Sequence, residues 1–138
     1  MPIVAKPYGP ESTPEEIGEL RARVRLHEAG ILIYEEIPVV TEFQLGICFG
    51  RVEELLREHP GAALIIDIRD SQRPPPAIRE ALQGWYNRLQ DRLTRIAVVT
   101  GKNFLINIIA KFIMSGIPQK VTVHTTVAEA AEALRHVR

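Results

Sequence analysis

Residues 64–85 read LIIDIRDSQRPPPAIREALQGW. An unbroken apolar run reaches Asp67, a charged segment follows, prolines stand at 74, 75 and 76, and a helical pattern then begins. The run over residues 62–68, apolar but for Asp67, has the character of a strand buried on both faces, as in the middle of a parallel sheet. Open α/β sheets bind and react at the carboxyl ends of such strands, where the next helix begins. The fold turns on what flanks this strand, and the function on what its last residues carry.

Downstream, residues 75–92 read as a helix and 96–99 as a second buried strand, stopped by Gly101. Residues 103–115 read as a helix closed by Gly116 and Pro118, and 121–124 as a short strand. Thr126 is the expected N-cap of a final helix rich in alanine and glutamate. Upstream, Phe43, Ile47, Val52, Leu55 and Leu56 recur near helical spacing, so residues 41–59 read as a helix ended by Pro60-Gly61. Gly46 and Gly50 each cost that helix roughly 1 kcal/mol relative to alanine, which close packing would explain.

Before Pro38, residues 31–35 (ILIYE) read as a strand. Residues 20–26 alternate Leu20, Ala22, Val24 and Leu26 with Arg21, Arg23 and Arg25. A period of two predicts a strand with the arginines on its wet face, joined to 31–35 by a turn at 28–30. Glu35 or Glu36 then offsets the arginine charge across the pair. The competing reading is one helix from 14 to 29 capped by Gly30; the strand is preferred. Neither strand has the hydrophobic length for burial on both faces. Residues 1–19 form an arm with prolines at 2, 7, 10 and 14 and little regular structure, apart from a turn or so of helix started by Thr13-Pro14-Glu15-Glu16.

The order β-β-α-β-α-β-α-β-α describes a single α/β domain over residues 20–138, with a mixed, mostly parallel sheet and an N-terminal hairpin. The chain of 138 residues suffices for one core. Apolar residues make up 46% and charged residues 25%, and seventeen basic residues balance seventeen acidic ones, which leaves no basic field to recruit nucleic acid. A single cysteine, Cys48, excludes an intrachain disulfide and any multi-cysteine metal site. The first residues lack the apolar core of a signal peptide, and the most apolar segment, 104–114, is shorter than the ~20 residues of a membrane span. The expectation is a cytoplasmic protein with no transmembrane segment.

Three stretches carry a family likeness: LIIDI at 64–68, RIAVVTGKN at 95–103, and GIPQKVTVHTTVAEAAEAL at 116–134. Over residues 20–137 the chain resembles the STAS family of anti-sigma-factor antagonists, and is most similar to its divergent SpoIIAA-like branch. None of these strings is a catalytic fingerprint, so the likeness informs fold more than activity. In regulatory members of the family a serine in a D-S-[ST]-G-like motif, at the start of the helix after the central strand, is phosphorylated by a kinase. That pattern falls on Pro76 and Ala77 here, which accept no phosphate, and Ser71 lies several positions too early. The resemblance implies the scaffold of a regulatory module without its usual switch residue.

The strand-to-helix junction gathers Asp67, Arg69, Asp70, Ser71 and Arg73. Carboxylates there could serve as base or ligand and the arginines could hold an anion; the plainer reading, and the favoured one, is a solvated loop whose charges pair with one another. The prolines are structural: Pro fits the first helical turn, and residues preceding proline are held extended, which gives a rigid corner. TGKN at 100–103 lacks the first glycine and the hydroxyl of a P-loop, no G-x-G-x-x-G occurs, and His27, His59, His124 and His136 form no H-E-x-x-H. No metal, cofactor or catalytic set is expected. Cys48, within apolar residues 45–49, reads as a buried, inert thiol.

In NFLINIIAKFIMS (103–115) the polar residues Asn103, Asn107, Lys111 and Ser115 form one narrow stripe, and the apolar residues fill about 200° of the circumference. Such a helix is either buried nearly all round or an interface. Phe104, Ile108, Lys111 and Phe112 are the interface candidates, for a protein partner or a second copy. A small apolar ligand or a lipid held between sheet and helix is the alternative. The function expected is a non-enzymatic interaction or regulatory module. The second alternative is an enzyme working at residues 67–73.

Overall fold

A computed structural model describes residues 8–71, 76–89, 91–102 and 121–135. Among them the chain forms α1 (Pro14–Ala22), β1 (Val24–Glu28), β2 (Ile31–Glu35), α2 (Glu42–Glu58), β3 (Ala63–Asp67), α3 (Pro76–Leu89), β4 (Ile96–Val99), β5 (Val121–His124) and α4 (Val127–Arg135). The strands make one mixed sheet in the order β1-β2-β3-β4-β5; β1 is antiparallel to β2 and every other pair is parallel. The α/β class expected from the alternation of apolar runs and amphipathic segments is what the chain adopts. The helix expected at 103–115 lies outside the described residues.

The start of the chain departs from expectation. Residues 20–22 belong to a helix, and only from Val24 does the chain become a strand. The cause is a complete capping box. The Thr13 hydroxyl accepts from the Glu16 N–H at 3.2 Å, the Glu16 carboxylate accepts from the Thr13 N–H at 2.9 Å, and Pro14 opens the first turn. Leu20 is 1% exposed, and Arg21 reaches across to α2 in a two-pronged pair with Glu54 at 2.8 and 3.0 Å. Arg23 does not line a wet face: its guanidinium donates to the carbonyl oxygens of Glu35 and Glu36. Of the three, only Arg25 lies within β1 and is exposed, and it pairs with Glu35 as expected. The helix runs across residues 19 and 20, where the sequence puts the end of the arm. In that arm Tyr8 is buried, and its carbonyl oxygen accepts the Thr41 hydroxyl at 2.8 Å.

β2 is buried on both faces, contrary to its short apolar run. It lies between β1 and β3, so Leu32 and Tyr34 enter the core on one side and Ile31 and Ile33 the core on the other. The larger core joins Leu32, Tyr34, Leu64, Ile66, Ile96 and Val98 of the sheet to residues of α1, α2 and α3. Phe49 ties its layers together: edge-on to Tyr34 of β2 at 5.2 Å, stacked on Trp85 at 5.3 Å, and edge-on to Tyr86 of α3 at 5.9 Å. Such offset and T-shaped contacts are the favoured aromatic geometries. The smaller core sets Ile31, Ile33, Ala63, Ile65, Ala97 and Val99 against Ala130, Ala131 and Leu134 of α4. Arg135 anchors the end of α4 to Glu28 of β1 through two bonds of 2.8 and 2.7 Å.

Among the described residues close packing does not explain the glycines of α2, because a Cβ on Gly46 or Gly50 would meet none of their atoms within 4 Å. β1 is the outer strand, its pairing with β2 slips between Leu26 and Glu28, and Leu26 is left 42% exposed. Among the described residues no helix is long and apolar enough to cross a membrane.

Candidate functional site

The parallel strands β2, β3 and β4 end side by side, with Glu35 opposite Asp67 and Asp67 opposite Val99. Asp67 is the last residue of β3 and 7% exposed. A carboxylate taken out of water needs donors for its lone pairs, and Arg69 supplies them. Arg69 Nε donates to Oδ1 at 2.9 Å, Nη2 donates to Oδ2 at 2.8 Å, and the Arg69 backbone N–H donates to Oδ1 at 3.1 Å. This two-pronged geometry is the strong form of the arginine–carboxylate pair. The hydrogen bond to Asp67 pushes Arg69 further toward its charged form, with the charges of Asp67, Asp70 and Glu35 adding to it.

The backbone around the pair is closely held. Ile68 donates to the Val99 carbonyl at 2.9 Å, and Ser71 closes a turn onto the Ile68 carbonyl at 3.0 Å. The Ser71 hydroxyl donates to the Ile37 carbonyl at 3.4 Å. Thr100, buried after β4, donates its N–H to the His124 carbonyl at 3.0 Å. Gly101 follows at φ 69°, a conformation that glycine adopts without penalty. Asp70 is exposed beside this turn. Of the residues that the sequence singled out, Asp67, Arg69, Asp70 and Ser71 therefore share one corner. Arg73, and Phe104, Ile108, Lys111 and Phe112 of the candidate interface, lie outside the described residues.

A second polar group, behind that corner, escaped the sequence reading. Glu36 directly follows β2, yet it is 4% exposed and points into the larger core. Its carboxylate accepts from the Tyr34 hydroxyl at 2.7 Å, from the Gln44 amide at 2.8 Å, and from the Ile37 N–H at 3.1 Å. The same Gln44 nitrogen lies 2.7 Å from the Tyr34 hydroxyl and 3.2 Å from the Cys48 sulfur. Gln44 Oε1 is buried with no hydrogen-bond partner among the described residues. Burial is the largest influence on Glu36 and raises it from the usual 4.5 to about 7, against the pull of its three donors and of Arg23. Burial pushes the Cys48 thiol up to about 12, as the apolar run around it predicts, and raises the Tyr34 and Tyr86 phenols.

The sequence does carry a faint trace of this group. Tyr34 and Glu36 are two apart and so share a strand face, but Glu36 reads like any solvated glutamate until α2 is laid across it. Among the described residues no three His, Cys, Asp or Glu side chains are grouped to hold a metal ion. Comparison with protein-family models finds no match, nor does comparison with curated proteins.

Proposed function

We propose that the chain is a non-enzymatic protein-interaction or regulatory module of the STAS kind, presenting the corner between β3 and α3 to a protein partner. The observation that carries this reading is the closure of Asp67 on Arg69. The Arg69 guanidinium spans both oxygens of Asp67, which favours a structural role for this carboxylate over that of a general base. The Ser71 hydroxyl is likewise turned onto the Ile37 carbonyl. Among the described residues of the corner, Arg69 and Asp70 are exposed, two opposite charges on a braced turn. Fixed charges of this kind set register and encounter rate between proteins more than they set affinity. The resemblance stated from the sequence points to the same corner: α3 opens with Pro76-Ala77, near where regulatory members of the STAS family carry their phosphorylated serine.

The test is affinity capture from the native cell with wild type beside Asp70→Arg, and with Phe112→Glu for the helix singled out in the sequence. One protein retained by wild type and lost at least tenfold with Asp70→Arg is the expected result. Capture indifferent to Asp70→Arg, or a small molecule carried at full occupancy in native mass spectra, would overturn the reading.

A further inference from the structure

We infer that the protonation state of Glu36 is conveyed through Ile37 to the Ser71 corner, so that the surface presented there responds to pH. The inference rests on the reading of that corner as the interaction surface; the physical coupling stands on the hydrogen bonds.

The groups around Glu36 are arranged for a carboxylate anion. Its three donors, the Tyr34 hydroxyl, the Gln44 amide and the Ile37 N–H, are all neutral and all directed at it. The titratable or charged groups that face it are Arg23 from the junction of α1 and β1, Tyr34 from β2, Cys48 from α2 and Tyr86 from α3. The Arg23 guanidinium is fixed on the Glu35 and Glu36 carbonyl oxygens at 2.9 and 3.2 Å. The two phenols and the thiol are held neutral by burial. Glu36 is thus the member of the cluster that changes charge near neutrality. Its proton would turn one of these acceptors into a donor, so the hydrogen bonds around it must rearrange. The amide oxygen of Gln44 is buried with no partner among the described residues.

The route outward is short. Ile37 gives its N–H to the Glu36 carboxylate at 3.1 Å, and its carbonyl receives the Ser71 hydroxyl at 3.4 Å. Pro38 follows, and a residue preceding proline is confined to extended conformations, so Ile37 has little slack in which to absorb a change at one end. The Glu36 N–H, bonded to the Asp67 carbonyl at 2.8 Å, ties the same residue to the end of β3. The charged neighbours of Ser71 in sequence, Asp67, Arg69 and Asp70, belong to the corner itself.

The experiment is an NMR titration of the intact chain from pH 5 to 9, following the Glu36 side-chain carboxyl carbon and the amides of Ile37 and Ser71. A single shared midpoint, near 7 in wild type, is expected. Glu36→Gln abolishes the transition at Ile37 and Ser71. Tyr34→Phe, which takes a donor from the anion, moves the midpoint upward for all three probes together. The coupling is overturned if Ser71 does not shift, or if its shift survives Glu36→Gln. Should Glu36→Gln fail to fold, Tyr34→Phe decides: a Glu36 midpoint that moves while that of Ser71 stays sinks the inference. No partner enters this titration, so a failure of the capture experiment with the titration intact counts only against the interaction surface.

Discussion

The side chain of Arg69 lies across Gly101: a Cβ on that glycine would stand 3.2 Å from Arg69 Cγ and 3.5 Å from its Cδ. The glycine after β4 thereby clears the path for the arginine that closes on Asp67, and at φ 69° it also holds a conformation that disfavours other residues. Left-handed backbone costs an L-residue about 1–2 kcal/mol. Gly101→Ala should lower stability by at least that much, read from urea denaturation. It should also loosen the pair, visible as faster exchange of the Arg69 backbone amide. A stability equal to wild type would show that the crowding is relieved at no cost.

Glu36 makes stability fall as pH rises. In the folded chain its proton is held up to about 7, whereas the unfolded chain releases it near the ordinary 4.5. Between those values the folded state binds more protons, so raising the pH favours unfolding. The contribution is fully present below 4.5, is lost progressively up to about 7, and is absent above. At 1.36 kcal/mol per unit the loss is about 3 kcal/mol. Glu36→Gln, neutral throughout, should flatten that slope when urea midpoints are compared at pH 5 and pH 8.

The open space beside Gly46 turns a liability into a stabilising site. Gly46 lies within α2, exposed, with no heavy atom of the described residues within 4 Å of a would-be Cβ. Gly46→Ala should raise stability by roughly 0.5–1 kcal/mol through helix propensity alone, measurable as a rise in the thermal midpoint. A destabilised variant would contradict the open space beside Gly46.

Cys48 should be chemically silent. Its sulfur is buried, its thiol is pushed up to about 12, and it lies 3.6 Å from the Leu20 carbonyl. The thiolate is the reactive species, so iodoacetamide should label the native protein only at the rate at which the chain opens. Labelling should become complete in denaturant, and rapid native labelling would contradict the packing of α1 against α2.

The elements legible in the sequence are those whose chemistry is local. β3 and β4 are apolar at nearly every position because both their faces are buried, and that signature survives in one dimension. The corner was legible too, since Asp67 and Arg69 are two residues apart. α1 was not. Alternating arginines imitate a strand through residue 22, and what overrules them is Glu54, 33 residues away, together with a cap whose strength the pattern understates. The Glu36 cluster was hidden for a related reason. Tyr34, Glu36, Gln44 and Cys48 come from a strand, the segment after it and a helix, and nothing in their types announces that one layer of packing seals them from water. β2 misled by length alone: five residues look too few for double burial until neighbours stand on both sides.

The slip in pairing between Leu26 and Glu28 bears on how copies of this chain coexist at high concentration. An outer strand with unbroken pitch is a template onto which another chain can add, and irregular, charged edges discourage such growth. β1 combines the slip with Arg25, His27 and Glu28 along five residues. Irregular pairing and charge along this border both disfavour fibril-like stacking through it.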